Sequence, residues 1–303
     1  MSGVSPSLPL ANPPARHPAH PAAHPLVDTL TREAAVHYGA VPRRLGDSDL
    51  RPGRCVLFED EFVLIAESGL GYHYRRGHGV TIERPPGTDP AEEMLWLNGS
   101  VYAAIASIHG LLPIHASAVA YGGAVHAFTG PSGAGKSTLV AALGGRGLPM
   151  FCDDTLVLDI SDPARIMCLP GHKRLKLTPS ALALTGAAAQ EPVGAMTGKN
   201  YAEPPGGVVR EVLPLARLTF LEEGDTVAAL PVSGAERFAR LNDDHYTAEL
   251  FARAHRSDLA ARFQLLARLA PAIAMARLVR PRDASRFGAS VDLAEILIRE
   301  GPA

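Results

Sequence analysis

The 303-residue sequence predicts an α/β fold: a P-loop core, preceded by a small β-rich accessory region and followed by a mostly helical part. Three observations lead there. The apolar run 125–128 feeds the octet Gly130-Pro131-Ser132-Gly133-Ala134-Gly135-Lys136-Ser137, and residues 138–146 read as a helix, so a strand, a glycine-rich loop and a helix follow in order. Between residues 47 and 86, short apolar runs are separated by acidic residues and glycines, the mark of small antiparallel strands. From residue 234 onward the apolar spacing is that of helices.

The elements follow from the amino terminus. Residues 1–25 are rich in Pro, Ala and His and hold few large apolar side chains, which predicts a disordered tail. Its histidines, His17, His20 and His24, lack partner ligands for a metal. The region 47–110 carries strands at 55–58, 62–65, 72–74 and 80–82. A helix at 90–109 then has Leu95, Leu97, Val101, Ile105 and Ile108 on one face. The domain 111–300 begins with strands at 116–121 and 125–128, turned by Gly122-Gly123. Past the loop and its helix, which Gly147 stops, come strands at 148–152 and 155–160 and a short helix at 179–184. The Gly/Pro-rich stretch 187–207 predicts a mobile loop, and 215–221 a further strand. Helices with a break near Asn242-Asp243-Asp244, a late strand at 276–279 and a helix at 291–299 complete the chain.

Charged residues make up 20% and the formal net charge is −2, so no basic excess points to nucleic acid or an acidic membrane surface as partner. The three cysteines, Cys55, Cys152 and Cys168, fit neither a metal site nor a disulfide framework and suit a reducing cytoplasm. No signal peptide and no long apolar run is evident, which makes a cytoplasmic location the expectation.

The octet carries the chemistry. Gly130, Gly133 and Gly135 let the backbone turn tightly and bring its N–H groups to phosphate oxygens, with Pro131, Ser132 and Ala134 between them. The helix entered through Ser137 and Thr138 points its positive end at the anion. Lys136 supplies a cation for the β- and γ-phosphates, and the Ser137 hydroxyl is a ligand for Mg²⁺. A nucleoside triphosphate with Mg²⁺, ATP being the expected one, is therefore the predicted cofactor pair.

Asp153-Asp154 follow the next strand, where an acid beside the metal belongs. One acid can hold the metal while the other takes a proton from an attacking hydroxyl. A strand-end turn with solvated acids is the plain alternative. His115 precedes the strand that feeds the loop and by pattern alone reads as structural or functional.

The run His115-Ala116-Ser117-Ala118-Val119, the octet, Gly147 and Asp153-Asp154 together resemble the catalytic core of HPr kinase/phosphorylase and its relatives. His115 stands 21 positions before Lys136 and Asp153 stands 17 after it. The close resemblance spans residues 112–177. More loosely, residues 47–299 are similar to short relatives that include the serine kinases of lasso-peptide precursors. The resemblance implies an HPr-kinase-like fold and a serine kinase acting on a peptide or protein. In it Asp153 is the general base, Asp154 the acid near Mg²⁺ and His115 the histidine near the reacting phosphate. The family's bifunctional members form rings, so a homo-oligomer is an expectation too. Their glycine-rich segment after the acids is replaced here by Gly171-His172-Lys173-Arg174-Leu175-Lys176-Leu177, which leaves dephosphorylation without support.

That basic segment is the remaining candidate. If it is extended, His172, Arg174 and Lys176 share one face, and Arg174 can act as a cation on the transferring phosphoryl group. A solvated edge strand is the alternative. Lys199 reads as a lid cation or an ordinary loop lysine. His245-Tyr246 reads as helix packing or a substrate contact. The expected activity is an ATP- and Mg²⁺-dependent serine kinase. The alternatives are a nucleotide-binding scaffold or sensor and a small-molecule kinase.

Overall fold

The computed structural model describes residues 24–171, 173–194, 197–242, 246–254 and 259–300. His172, Asp243, Asp244, His245 and the tail up to residue 23 lie outside them. The fold is mixed α/β, with a five-stranded sheet, a nine-stranded sheet and smaller sheets of three and two strands.

The five-stranded sheet runs in the order Val36–Tyr38, Gly79–Glu83, Gly71–Arg75, Glu61–Ile65, Arg54–Phe58. Its last four strands are antiparallel hairpin neighbours, while Val36–Tyr38 pairs parallel to Gly79–Glu83. That first strand escapes the sequence pattern because it has three residues and mostly exposed side chains. One face of the sheet, with Phe62, Leu64, Tyr72 and Tyr74, packs on the helical segment that follows. The Asp89 carboxylate caps that segment by accepting from the Ala91 amide at 2.9 Å. It runs as helix Pro90–Trp96, a π-turn Leu97–Val101 and helix Tyr102–Ile108.

The nine-stranded sheet positions the site. Ala124–Thr129, Leu213–Glu223 and Met275–Arg280 lie side by side and parallel. Ala116–Tyr121 is antiparallel to Ala124–Thr129, and Met150–Cys152 is antiparallel to Ala116–Tyr121. The strands Ala116–Tyr121 and Ala124–Thr129 are buried nearly throughout, because helices cover both faces. Val119, Phe128, Leu221 and Leu278 pack toward helices Lys136–Gly145 and Phe287–Arg299. Their neighbours Ala118, Ala127 and Phe220 pack on the opposite face, toward helix Leu259–Ala272. This is the period-two alternation of a pleated sheet.

Two expectations need correcting. The stretch 187–207 holds strands Ala189–Pro192 and Asn200–Ala202, which form a three-stranded sheet with Leu175–Leu177. Ala189–Pro192 is exposed at all four positions, so no apolar alternation betrays it in the sequence. The strand read at 148–152 is the shorter Met150–Cys152, and a further strand Ala228–Pro231 pairs with Met275–Arg280. Among the described residues no helix is long and apolar enough to cross a membrane.

Candidate functional site: a phosphate loop and two acids

The site lies on one edge of the nine-stranded sheet. Ala124–Thr129 and Met150–Cys152 both end there, and Ala116–Tyr121 begins there, with Ala116 opposite Thr129 and Ala118 opposite Cys152. The antiparallel strand is what brings His115 to the carboxyl-terminal ends of its neighbours, the edge where open α/β sheets hold ligands. The Thr129 hydroxyl donates to the His115 carbonyl at 3.0 Å and ties the two strand ends together.

The loop between Thr129 and helix Lys136–Gly145 needs its glycines. Gly130, Gly133 and Gly135 have φ of 149°, 81° and 86°, where L side chains are strained. A Cβ on Gly130 would lie 2.9 Å from the Leu221 carbonyl oxygen. Lys136, 6% exposed, donates through Nζ to the carbonyls of Gly130 at 2.9 Å and Pro131 at 3.1 Å. Burial pushes its pKa down to about 8, Lys199 adds to that, and Asp153 and Asp154 oppose it. Among the described residues this buried ammonium is hydrogen-bonded by carbonyls alone, an arrangement suited to exchanging them for phosphate oxygens.

The two acids face different groups. Asp153, 1% exposed, accepts from the hydroxyls of Ser137 at 2.7 Å and Ser117 at 2.5 Å through Oδ1. Its Oδ2 accepts from the Lys176 amide at 3.1 Å. Asp154 turns the chain through the left-handed region, φ 75°, and so aims its carboxylate elsewhere. Its Oδ2 binds Lys176 Nζ at 2.7 Å, and His115 Nδ1 lies 3.6 Å from its Oδ1. The same His115 nitrogen lies 2.9 Å from the Asp154 carbonyl. Burial works to raise the Asp154 pKa, but Lys176, His115 and Lys199 outweigh it and hold the carboxyl below its usual range. Burial, with Lys136 beside it, lowers the pKa of His115 against the pull of both acids.

His115, Lys136, Ser137, Asp153 and Asp154 therefore form one constellation. Lys199, half-buried, is close enough for its charge to reach both Lys136 and Asp154. Arg174 is not among them. Its guanidinium meets Glu191 at 2.6 Å and lies 3.9 Å over the Tyr201 ring, partners on the neighbouring hairpin. The strand starts only at Leu175, so the alternation that grouped Arg174 with Lys176 does not run through the segment. Nor is Lys176 on a solvated edge: it is buried. Lys173 donates to the Phe151 carbonyl and lies 4.7 Å over the Phe151 ring. Sequence reasoning missed Ser117 and the role of Lys176 as partner of Asp154; two basic residues flanking a leucine gave no hint of which one turns inward.

Two cavities flank the loop and share Pro131. One, of about 820 Å³, is lined by His115, Ser132 and Asp154 together with Trp96, Gly99 and Ser100 of the accessory region. The π-turn brings Gly99 so near that a Cβ there would lie 3.5 Å from Asp154 Oδ2. The other, of about 940 Å³, is lined by Gly133, Gly135 and Thr138 with Leu184, Arg280 and Phe287.

The oxygens of Ser137 and Asp153 suit a hard cation that also rides on substrate phosphates, since Mg²⁺ takes few protein ligands. Among the described residues no cluster of three or more His, Cys, Asp or Glu side chains forms a self-sufficient metal cage.

No family model and no curated protein matches the chain. Among solved structures it is similar to an HPr(Ser) kinase/phosphatase from Coxiella burnetii, with 13% identity and a TM-score of 0.31. The match covers 62% of this chain and 99% of that one.

Proposed function

We propose that the protein is an ATP- and Mg²⁺-dependent phosphotransferase that acts on a hydroxyl, the acceptor being a serine of a peptide or protein. The observation that carries this reading is the pair of acids with separate duties beside a phosphate loop. A module that only binds nucleotide has no use for a second carboxylate and a histidine facing an open cavity.

The geometry favours a division of labour opposite to the one implied by the family resemblance. Asp153 accepts three hydrogen bonds, is closed to solvent and lines neither cavity beside the loop, so no acceptor hydroxyl reaches it directly. Its contact with Ser137 suits the metal side. Asp154 lines the 820 Å³ cavity and suits the base that takes the acceptor's proton. Lys176 and His115 hold it in place. Mg²⁺, when bound with the nucleotide through Ser137 and Asp153, supplies charge neutralisation on the phosphate oxygens. Lys136 leaves the loop carbonyls for the phosphates. The acceptor oxygen attacks the terminal phosphorus as its proton passes to Asp154, the bond to the bridging oxygen breaks, and ADP leaves.

Incubation with labelled ATP and serine peptides tests this. Asp154→Asn is expected to abolish transfer while keeping ATP binding, and Asp153→Asn to raise the Mg²⁺ concentration needed. Transfer that survives Asp154→Asn refutes the assignment of the base.

A further inference from the structure

The 940 Å³ cavity on the far side of the loop takes no part in the steps above. Arg280 ends strand Met275–Arg280, and its guanidinium donates to the Ala134 carbonyl of the loop at 2.5 Å. Among the described residues no carboxylate pairs with Arg280, whereas its neighbour Arg282 meets Glu223 at 2.8 Å. A carbonyl alone is a weak partner for a half-buried cation. The group is packed hard on the phosphate loop: a Cβ on Gly135 would lie 2.5 Å from Arg280 Nη2. The guanidinium carbon sits 6.0 Å from the centre of the Phe287 ring. Across the cavity, helix Pro179–Thr185 presents Leu184, an apolar side chain left 41% exposed. The carboxylates that line the cavity are engaged elsewhere, Glu222 with Arg240, Glu223 with Arg282 and Asp283 with Ser285. An arginine without a carboxylate partner, apolar surface without cover and a phosphate loop thus meet in one cavity, of a size that holds a small ligand.

We propose that this cavity seats the nucleoside end of a nucleoside triphosphate, with Arg280 exchanging the Ala134 carbonyl for a phosphate oxygen when the loop fills. The triphosphate then runs past Gly133 and Gly135 to Lys136 and ends toward Pro131, where the acceptor cavity begins. The inference rests on reading the loop as a nucleotide site. It adds which side of the loop the base lies on and which second cation the phosphates meet.

Calorimetric titration in Mg²⁺ with two probes, ATP and inorganic tripolyphosphate, tests it on the full chain. Wild type is expected to bind ATP at least tenfold more tightly than tripolyphosphate. Leu184→Glu, at an exposed position, is expected to bring that ratio to below about twofold, whatever its added charge does to the binding of both probes. Arg280→Ala is expected to weaken both probes about tenfold. Equal binding of the two probes by wild type overturns the seat while leaving the phosphate loop intact. A Leu184→Glu protein with an unchanged ratio also overturns it, even if Arg280→Ala does not fold. Binding of neither probe removes the nucleotide reading itself, and the seat with it.

Discussion

His126 should set the acid limit of stability. It sits on the strand that feeds the phosphate loop, 5% exposed, with no hydrogen-bond partner on Nδ1 among the described residues. Burial, helped by the charge of Arg217 on the adjoining strand, pushes its pKa down from 6.5 to about 4. The folded protein therefore keeps this imidazole neutral while the unfolded chain takes up a proton below pH 6.5. Stability is full above that pH and falls progressively as the pH drops toward 4. Each unit below 6.5 costs about 1.4 kcal/mol, so the group removes about 2 kcal/mol at pH 5. His115 and His109 also have lowered values, so the whole protein will show a steeper limb than His126 alone. The comparison with His126→Gln isolates one residue. Urea unfolding followed by fluorescence between pH 4.5 and 7.5 should give wild type and variant curves that converge by about 2 kcal/mol as the pH falls from 7 to 5. Parallel curves would refute the reasoning.

Other outcomes follow from the same contacts. Lys176→Met leaves the part-buried Asp154 carboxylate without its cation and should cost about 1–3 kcal/mol, with part regained in the double variant with Asp154→Asn, as read by thermal unfolding. Gly135→Ala forces a side chain into φ 86° against Arg280 and should destabilise by about 1–2 kcal/mol while weakening ATP binding in titration. Lys136, with its pKa pushed down to about 8 in the nucleotide-free protein, should lose its charge above that pH, so ATP affinity measured by calorimetry should weaken between pH 8 and 9.5. Arg174→Ala, which removes a pair with the exposed Glu191, should leave transfer rates within about twofold.

The phosphate loop could be read without a structure because its chemistry is local. The backbone turn, the cation and the helix start are consecutive residues, and Gly130, Gly133 and Gly135 fall where positive φ is required. The acids were legible for the same reason, since they follow directly on the next strand after the loop's helix. Their separate duties were not. Asp153 and Asp154 are neighbours in sequence, and only the left-handed turn at Asp154 sends one toward Ser137 and the other toward Lys176 and His115. Lys176 could not be told from Arg174 by spacing, because the strand that buries one begins between them. Arg280 lies 146 positions beyond Ala134, and no local pattern marks it. Sequence by itself determined the parts whose physics fits inside a few bonded residues: a strand, a turn, a helix and the charges they carry. Tertiary structure decided which distant cations enter low-dielectric surroundings, which carboxylate is enclosed and which faces a cavity, because burial and pairing depend on strands that meet in space and not in order.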